Sequence, residues 1–196
     1  MRVVGVLLAA GRGARFGGAK LLAPLPGPVH GVSAGTPIGV ASCGHLVAAL
    51  PEVIAVVRPG DSVLAGQLRD TGARVVECAR ADEGMGCSLA CGIVAAADAD
   101  GWVIALADMP WIAPATIAAV ADALDGGADI AAAAYQGRRA HPVGFARHHF
   151  AALAALTGDD GARSVVGAHL DRLRMIHVAD DGVVRDVDTV ADLPRA

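Results

Sequence analysis

The residues best suited to chemistry crowd into one short stretch near the amino end, LAAGRGARFGGAK, from Leu8 to Lys20. It holds Gly11, Gly13, Gly17 and Gly18, the cations Arg12, Arg15 and Lys20, and no acid. Glycine admits positive φ and lets backbone N–H groups come close to an anion. Arginine can grip phosphate oxygens through two parallel hydrogen bonds. The chain around this loop carries a net charge of −4 and only 3% aromatic residues. A general nucleic-acid surface would be basic, and a single-strand binder would be rich in stacking rings. A basic loop in an acidic protein suits a small anionic ligand instead.

The loop departs from two common phosphate-binding patterns. A Walker loop needs a lysine directly after its second glycine and a hydroxyl residue next, whereas Gly18 precedes Ala19 and Lys20 precedes Leu21. A dinucleotide fingerprint needs Gly or Ala where Phe16 stands, and Arg58 follows the second apolar strand in place of a ribose-binding acid. Arg58 would suit a 2′-phosphate, so an NADP reading stays open. Asp108 closes an apolar strand just before Met109 and Pro110, where a carboxylate is costly unless it is solvated or holds something.

The elements that must position these groups alternate. Val3–Ala10, Val53–Val57, Arg74–Cys78, Trp102–Ala107 and Asp129–Ala134 read as strands, with Val143–Ala146, Met175–Val178 and Val184–Val187 as later ones. Thr36–Leu50 reads as a helix capped by Thr36, with further helices over Val63–Thr71, Ser88–Ala97, Pro114–Leu124, His148–Leu156 and Ser164–Leu170 and a short one from Thr189. His148 and His149 read as a solvated helix start. The alternation predicts a three-layer α/β/α sandwich of Rossmann-like type on a mostly parallel, mixed sheet, as a single domain over residues 1–196. Ligands of such sheets sit at the carboxyl ends of the strands, where the glycine loop and Asp108 fall. On a late strand, Asp186 and Asp188 would face the same side. The four cysteines form no CxxC and read as buried hydrophobes in a reducing cytoplasm. No apolar run reaches the roughly 18 residues that span a bilayer.

The opening stretch resembles the LAAGxGxRxGxxK motif of nucleotidyltransferases, with Leu8, Ala9, Ala10, Gly11, Gly13, Arg15, Gly17 and Lys20 all in register. GMGCSL (84–89), ALADMP (105–110), HPVGF (141–145), GDDGAR (158–163) and DVDTVADL (186–193) follow in order. Together they resemble the molybdopterin nucleotidyltransferase-like family, in the branch that includes molybdenum cofactor cytidylyltransferase. The resemblance implies a nucleotide-diphospho-sugar transferase type of fold. It implies transfer of CMP from CTP to a molybdopterin-type cofactor, with release of pyrophosphate and Mg²⁺ bridging the phosphates. Arg15, Lys20 and Asp108 would then be catalytic. Leu8, Ala9, Ala10, Gly11, Gly13, Arg15, Lys20, Gly84 and Ser88 would hold the nucleotide. Asp108 and Asp188, with Asp186 beside them, would hold the metal, and His141 and Pro142 would meet the acceptor. The product would pass to a molybdoenzyme or its chaperone.

Two departures mark this chain. Ala140 stands where the branch usually has glycine before His-Pro, and LPGPVHGVSAGTP (25–37) lengthens the connection after Lys20. The alternatives are the same fold using GTP or another phosphorylated acceptor, and a non-catalytic carrier of molybdenum cofactor.

Overall fold

The computed structural model describes residues 1–194. Seven strands form one sheet: β1 (Val3–Leu8), β2 (Val53–Val57), β3 (Arg74–Glu77), β4 (Gly101–Leu106), β5 (Ile130–Tyr135), β6 (Arg138–Ala146) and β7 (Leu173–His177). Their order is β3-β2-β1-β4-β6-β5-β7, and β6 alone runs antiparallel to its neighbours. Six α-helices accompany it: α1 (Ile38–Ala49), α2 (Ser62–Asp70), α3 (Met85–Ala95), α4 (Pro114–Asp125), α5 (Phe150–Ala154) and α6 (Arg163–Ala168).

Strand periodicity divides the core into two layers. Successive residues of a strand point to opposite faces. Leu7, Ala55 and Val103 therefore join Ile38, Leu46, Leu64 and Ile117 on the face covered by α1, α2 and α4. Val6, Ile54, Ile104 and Trp102 join Leu89, Ile93, Leu153 and Val166 on the face covered by α3, α5 and α6. Strands buried on both faces need apolar residues at every position, which is why β1, β2 and β4 read as unbroken apolar runs. The indole of Trp102 donates to the Ala96 carbonyl at 3.1 Å, so its buried N–H is satisfied.

Several elements differ from their sequence reading. Pro37, not Thr36, takes the N-cap place of α1, because the Thr36 carbonyl is committed to Leu25 N–H and its N–H to Ser33. Helix α3 starts at Met85, three residues before Ser88. Strand β6 extends back to Arg138 and takes in His141. Val184–Val187 makes no strand: Asp181–Val184 is a 3-10 turn, and the terminal helix is a 3-10 turn over Val190–Asp192 closed by a Thr189–Asp192 capping box. His149 is not a solvated helix start. It is 3% exposed, edge-on to Phe145 and His169, while His148 beside it stays exposed. The four cysteines are unpaired, three of them buried, and no described helix is long and apolar enough to cross a membrane.

Burial, aided by the neighbouring His148 and His169, pushes the His149 imidazole down to about 4. As pH falls from about 6.5 towards 4, the unfolded chain takes up a proton that the folded chain refuses, so stability falls over that window. The melting temperature of His149→Phe should vary less across this range than that of the parent. A parallel decline in both proteins would remove His149 as the cause.

Candidate active site

Strands β3, β2, β1 and β4 all end at one edge of the sheet, and the loop after β1 rises from the middle of that edge. Ala14–Phe16 forms a 3-10 turn bounded by Gly13 and Gly17, both left-handed. Gly13 is required twice over: its φ is +58°, and a Cβ there would lie 2.7 Å from the Gly18 carbonyl. The N–H groups of Gly11, Arg12 and Gly13 meet no acceptor among the described residues. Successive free N–H groups in such a turn form a concave anion-binding surface.

The loop then delivers Lys20 to the end of β4. Its ammonium donates to Asp108 Oδ2 at 2.6 Å and lies 3.8 Å from Asp188 Oδ1. Arg15 pairs with the other Asp188 oxygen at 2.9 Å. Lys20 is only 11% exposed in this cluster, against 79% for Arg15. The lysine charge thus acts in a partly desolvated place where electrostatic attraction is stronger than in water. Asp188 arrives from a segment held down elsewhere: Val187 is buried and its N–H donates to the Asp108 carbonyl at 2.9 Å. That one backbone bond sets the two carboxylates side by side. Asp186 and Asp188 do not share a strand face, because their segment belongs to no strand. Asp186 is exposed and forms no ion pair among the described residues.

Three clefts adjoin along this edge. The first, about 320 Å³, runs from Asp108 past Ala10 and Gly11 to Ser88 and Asp82. Gly84 and Ser88 both line it, and Gly84 takes the N-cap place of α3. Gly84 has φ +122°, and a Cβ on it would strike the Gly158 carbonyl. The Gly86 N–H donates to that same carbonyl at 2.7 Å, which ties the start of α3 to the 158–163 segment. A second cleft, about 340 Å³, lies beside Lys20 between the glycine loop and Arg58.

The third cleft, about 240 Å³, is lined by Arg139, His141, Phe145, Asp160 and Arg163. Strand direction explains His141. Because β6 is antiparallel, it pairs Val143 with Ile104 and so brings its amino end to the carboxyl end of β4. His141 is half-buried, its Nδ1 has no partner, and burial lowers its basicity while nearby Asp108 opposes that shift. The following Pro142 is buried, on a cis peptide bond. None of residues 25–37 lines these three clefts. That segment folds over α1, where the His30 ring bonds the Trp111 carbonyl at 2.9 Å and sits edge-on to His45.

Two groups at the site escaped sequence reading. Asp180 accepts from Ala113 N–H, Thr116 hydroxyl and Gly182 N–H, tying the late 181–184 turn to the start of α4. Asp82 receives both Arg12 and Arg58 on one oxygen. Neither acid stands in a recognisable motif, since each is defined by partners far along the chain.

The family profile described as the MobA-like NTP transferase domain matches residues 5–173. The chain belongs to the MobA-like NTP transferase family. Among curated sequences none matches it. Rv0371c from Mycobacterium tuberculosis H37Rv shares 30% identity with this MobA-like protein at a TM-score of 0.80, over 97% of this chain and 95% of that one. Rv0371c has also been solved in complex with manganese, at 29% identity and TM-score 0.74 over 98% and 96% of the chains. A nucleotidyl transferase from Methanothermobacter has the same fold, at 21% identity and TM-score 0.77 over 97% and 93%. So does a molybdopterin-guanine dinucleotide biosynthesis protein A from Archaeoglobus fulgidus, at 16% and 0.63 over 97% and 94%. The mixed seven-stranded sheet is that of the nucleotide-diphospho-sugar transferase fold, and the chain is a nucleotidyltransferase of the MobA-like family.

Gly84→Ala should test how far this edge depends on close backbone packing. A methyl group forced against the Gly158 carbonyl should cost about 2 kcal/mol of stability. The measurement is chemical denaturation of both proteins, and an unchanged midpoint would show that the 158–163 segment yields freely.

Proposed function

We propose that this nucleotidyltransferase moves CMP from CTP to the phosphate of a molybdopterin-type cofactor, releasing pyrophosphate, with Mg²⁺ as its divalent cation. One observation carries the catalytic part: a single lysine ammonium bridges Asp108 and Asp188 beside three free loop N–H groups. A cation and a divalent-metal donor pair at the mouth of an anion-binding loop are what attack by one phosphate on another requires, since two anions must meet.

The donor set suits the metal. Asp108 and Asp188 offer hard carboxylate oxygens without histidine or cysteine, and the described residues hold no cluster of three or more such ligands. Mg²⁺ and Mn²⁺ are commonly held by one or two carboxylates plus substrate phosphates and water. Rv0371c with its manganese supports a divalent cation in this family. Bound between Asp108 and Asp188, the ion would supply charge neutralisation at the reacting phosphates.

The chain's own residues do the rest. The N–H groups of Gly11, Arg12 and Gly13 cradle the triphosphate. Nucleotide phosphates compete with the two carboxylates for Lys20, which then faces the α-phosphate. Arg15, exposed at the surface beside Asp188, turns onto the leaving pyrophosphate. An oxygen of the acceptor phosphate attacks the α-phosphorus as the bond to the β-phosphate oxygen breaks. The first cleft takes the nucleoside against Leu8, Ala10, Gly84 and Ser88, while Ala9 is buried in the core and lines none of it. The third takes the acceptor, with His141 at its inner end and Arg139 and Arg163 supplying positive charge, while Pro142 is buried and lines none of it. Phe145 and Val166 offer that cleft an apolar wall for a flat ring system. Four unpaired cysteines suit work in a reducing cytoplasm.

The test is pyrophosphate release with molybdopterin cofactor and each of CTP, GTP, ATP and UTP, with Mg²⁺ or Mn²⁺. CTP should support turnover above the others. Asp108→Ala should lower kcat at least about a hundredfold, as loss of a preorganised electrostatic group does. Turnover with GTP alone would replace the cytidylyl reading by a guanylyl one, and no turnover with any nucleotide would overturn the proposal.

A further inference from the structure

The far end of the nucleotide cleft is closed by three charged side chains from three loops. Arg12 follows β1, Arg58 follows β2 and Asp82 follows β3, and all line the cleft that Asp108 closes at its other end. Both guanidinium groups converge on one oxygen, Asp82 Oδ1, Arg12 at 3.0 Å and Arg58 at closer range. The other oxygen, Oδ2, has no partner among the described residues. Arg58 is held to 25% exposure, while Asp82 and Arg12 keep 57% and 64% and so leave Oδ2 open to a ligand.

Strand order sets the distance. The carboxyl ends lie in the sequence β4, β1, β2, β3, and neighbouring strands are about 4.8 Å apart, so the end of β3 stands about 14 Å from the end of β4, with Asp82 on the Ala81–Glu83 turn that follows β3. With the α-phosphate at Lys20 and Asp108, the ribose spans β1 and the outer edge of the base reaches β2 and β3. A base edge there meets Asp82 and Arg58.

We infer that Asp82 and Arg58 read the edge of the base and select cytosine over uracil, with Arg12 holding Asp82 in place. The inference rests on the CTP reading above. An ionised carboxylate only accepts hydrogen bonds and a guanidinium only donates them. Cytosine presents a donor, its 4-amino group, beside an acceptor, N3. Asp82 Oδ2 takes the amino group and Arg58 donates to N3. Uracil presents the reverse order, an oxygen beside an N–H, and so sets acceptor against acceptor and donor against donor. A site built from groups of fixed polarity rejects such an analogue, because groups that the base covers lose their partners. Both arginines hold the Asp82 carboxyl below the usual carboxylate range, so it stays an acceptor throughout the working pH range.

The experiment is calorimetric titration of the whole protein with CTP, UTP and GTP in Mg²⁺, for the parent, Asp82→Asn and Glu83→Gln. Glu83 pairs with Arg80 next door, so its variant carries the same change of charge without touching Arg12 or Arg58. An amide can donate or accept, so Asp82→Asn should bind CTP about tenfold more weakly and shift the CTP-to-UTP preference towards one. Glu83→Gln should keep the parent preference. If Asp82→Asn weakens both nucleotides equally, or keeps the parent ratio, the triad serves the phosphates or the loop and the inference falls while the CTP reading stands. A parent protein that prefers GTP, or binds no nucleotide, overturns the CTP reading and this inference together.

Discussion

The arrangement turns on a lysine ammonium suspended between two carboxylates. Lys20, Asp108 and Asp188 come from three distant parts of the chain, and each is put in place by a different device. Lys20 is aimed by a glycine loop that closes on itself at Gly13 and Gly18. Asp108 is carried at the end of a strand buried on both faces. Asp188 is delivered by the bond from Val187 N–H to the Asp108 carbonyl. Two carboxylates this near a shared cation would repel without it, so the lysine is the group that lets the cluster exist before any ligand arrives.

The mixed sheet explains how one edge carries adjoining clefts of different origin. Four parallel ends supply the first cleft, since parallel strands all present their carboxyl ends together. The antiparallel strand β6 brings its amino end to that same edge, so Arg139 and His141 arrive from the opposite chain direction. The third cleft therefore adjoins the first, and Leu8, Leu106, Met85 and Asp159 line both.

Membership of the MobA-like family accounts for the glycine loop and for the fold. It does not account for Asp82, Arg58 and Asp180, which stand outside the recurring motifs: each is an ordinary charged residue in the sequence, and the fold brings its partners to it.

Local rules decided much of this protein. Unbroken apolar runs marked β1, β2 and β4 because burial on both faces leaves no polar position. The glycine loop was legible because positive φ and close approach need glycine at Gly13 itself. Boundaries that depended on competing local bonds were read less well, as at Thr36, whose backbone was already committed to the long connection, and at Ser88, which falls inside α3. His149 looked solvated beside His148, since nothing in a sequence tells which of two adjacent histidines turns to the core. The separation of Asp188 from Asp186 was decided by tertiary structure alone. Period-two logic holds only within a strand, and their segment is held instead by the Val187 bond to the Asp108 carbonyl, the buried Val187 side chain and the Asp188 N–H bond to Asp192. The sequence by itself determined the strand-and-loop frame and its cationic glycine turn, because those follow from φ, ψ and burial within a few residues. Only the folded sheet decided which acids face Lys20 and which close the far end of the cleft, because those choices depend on distances between residues that the chain keeps far apart.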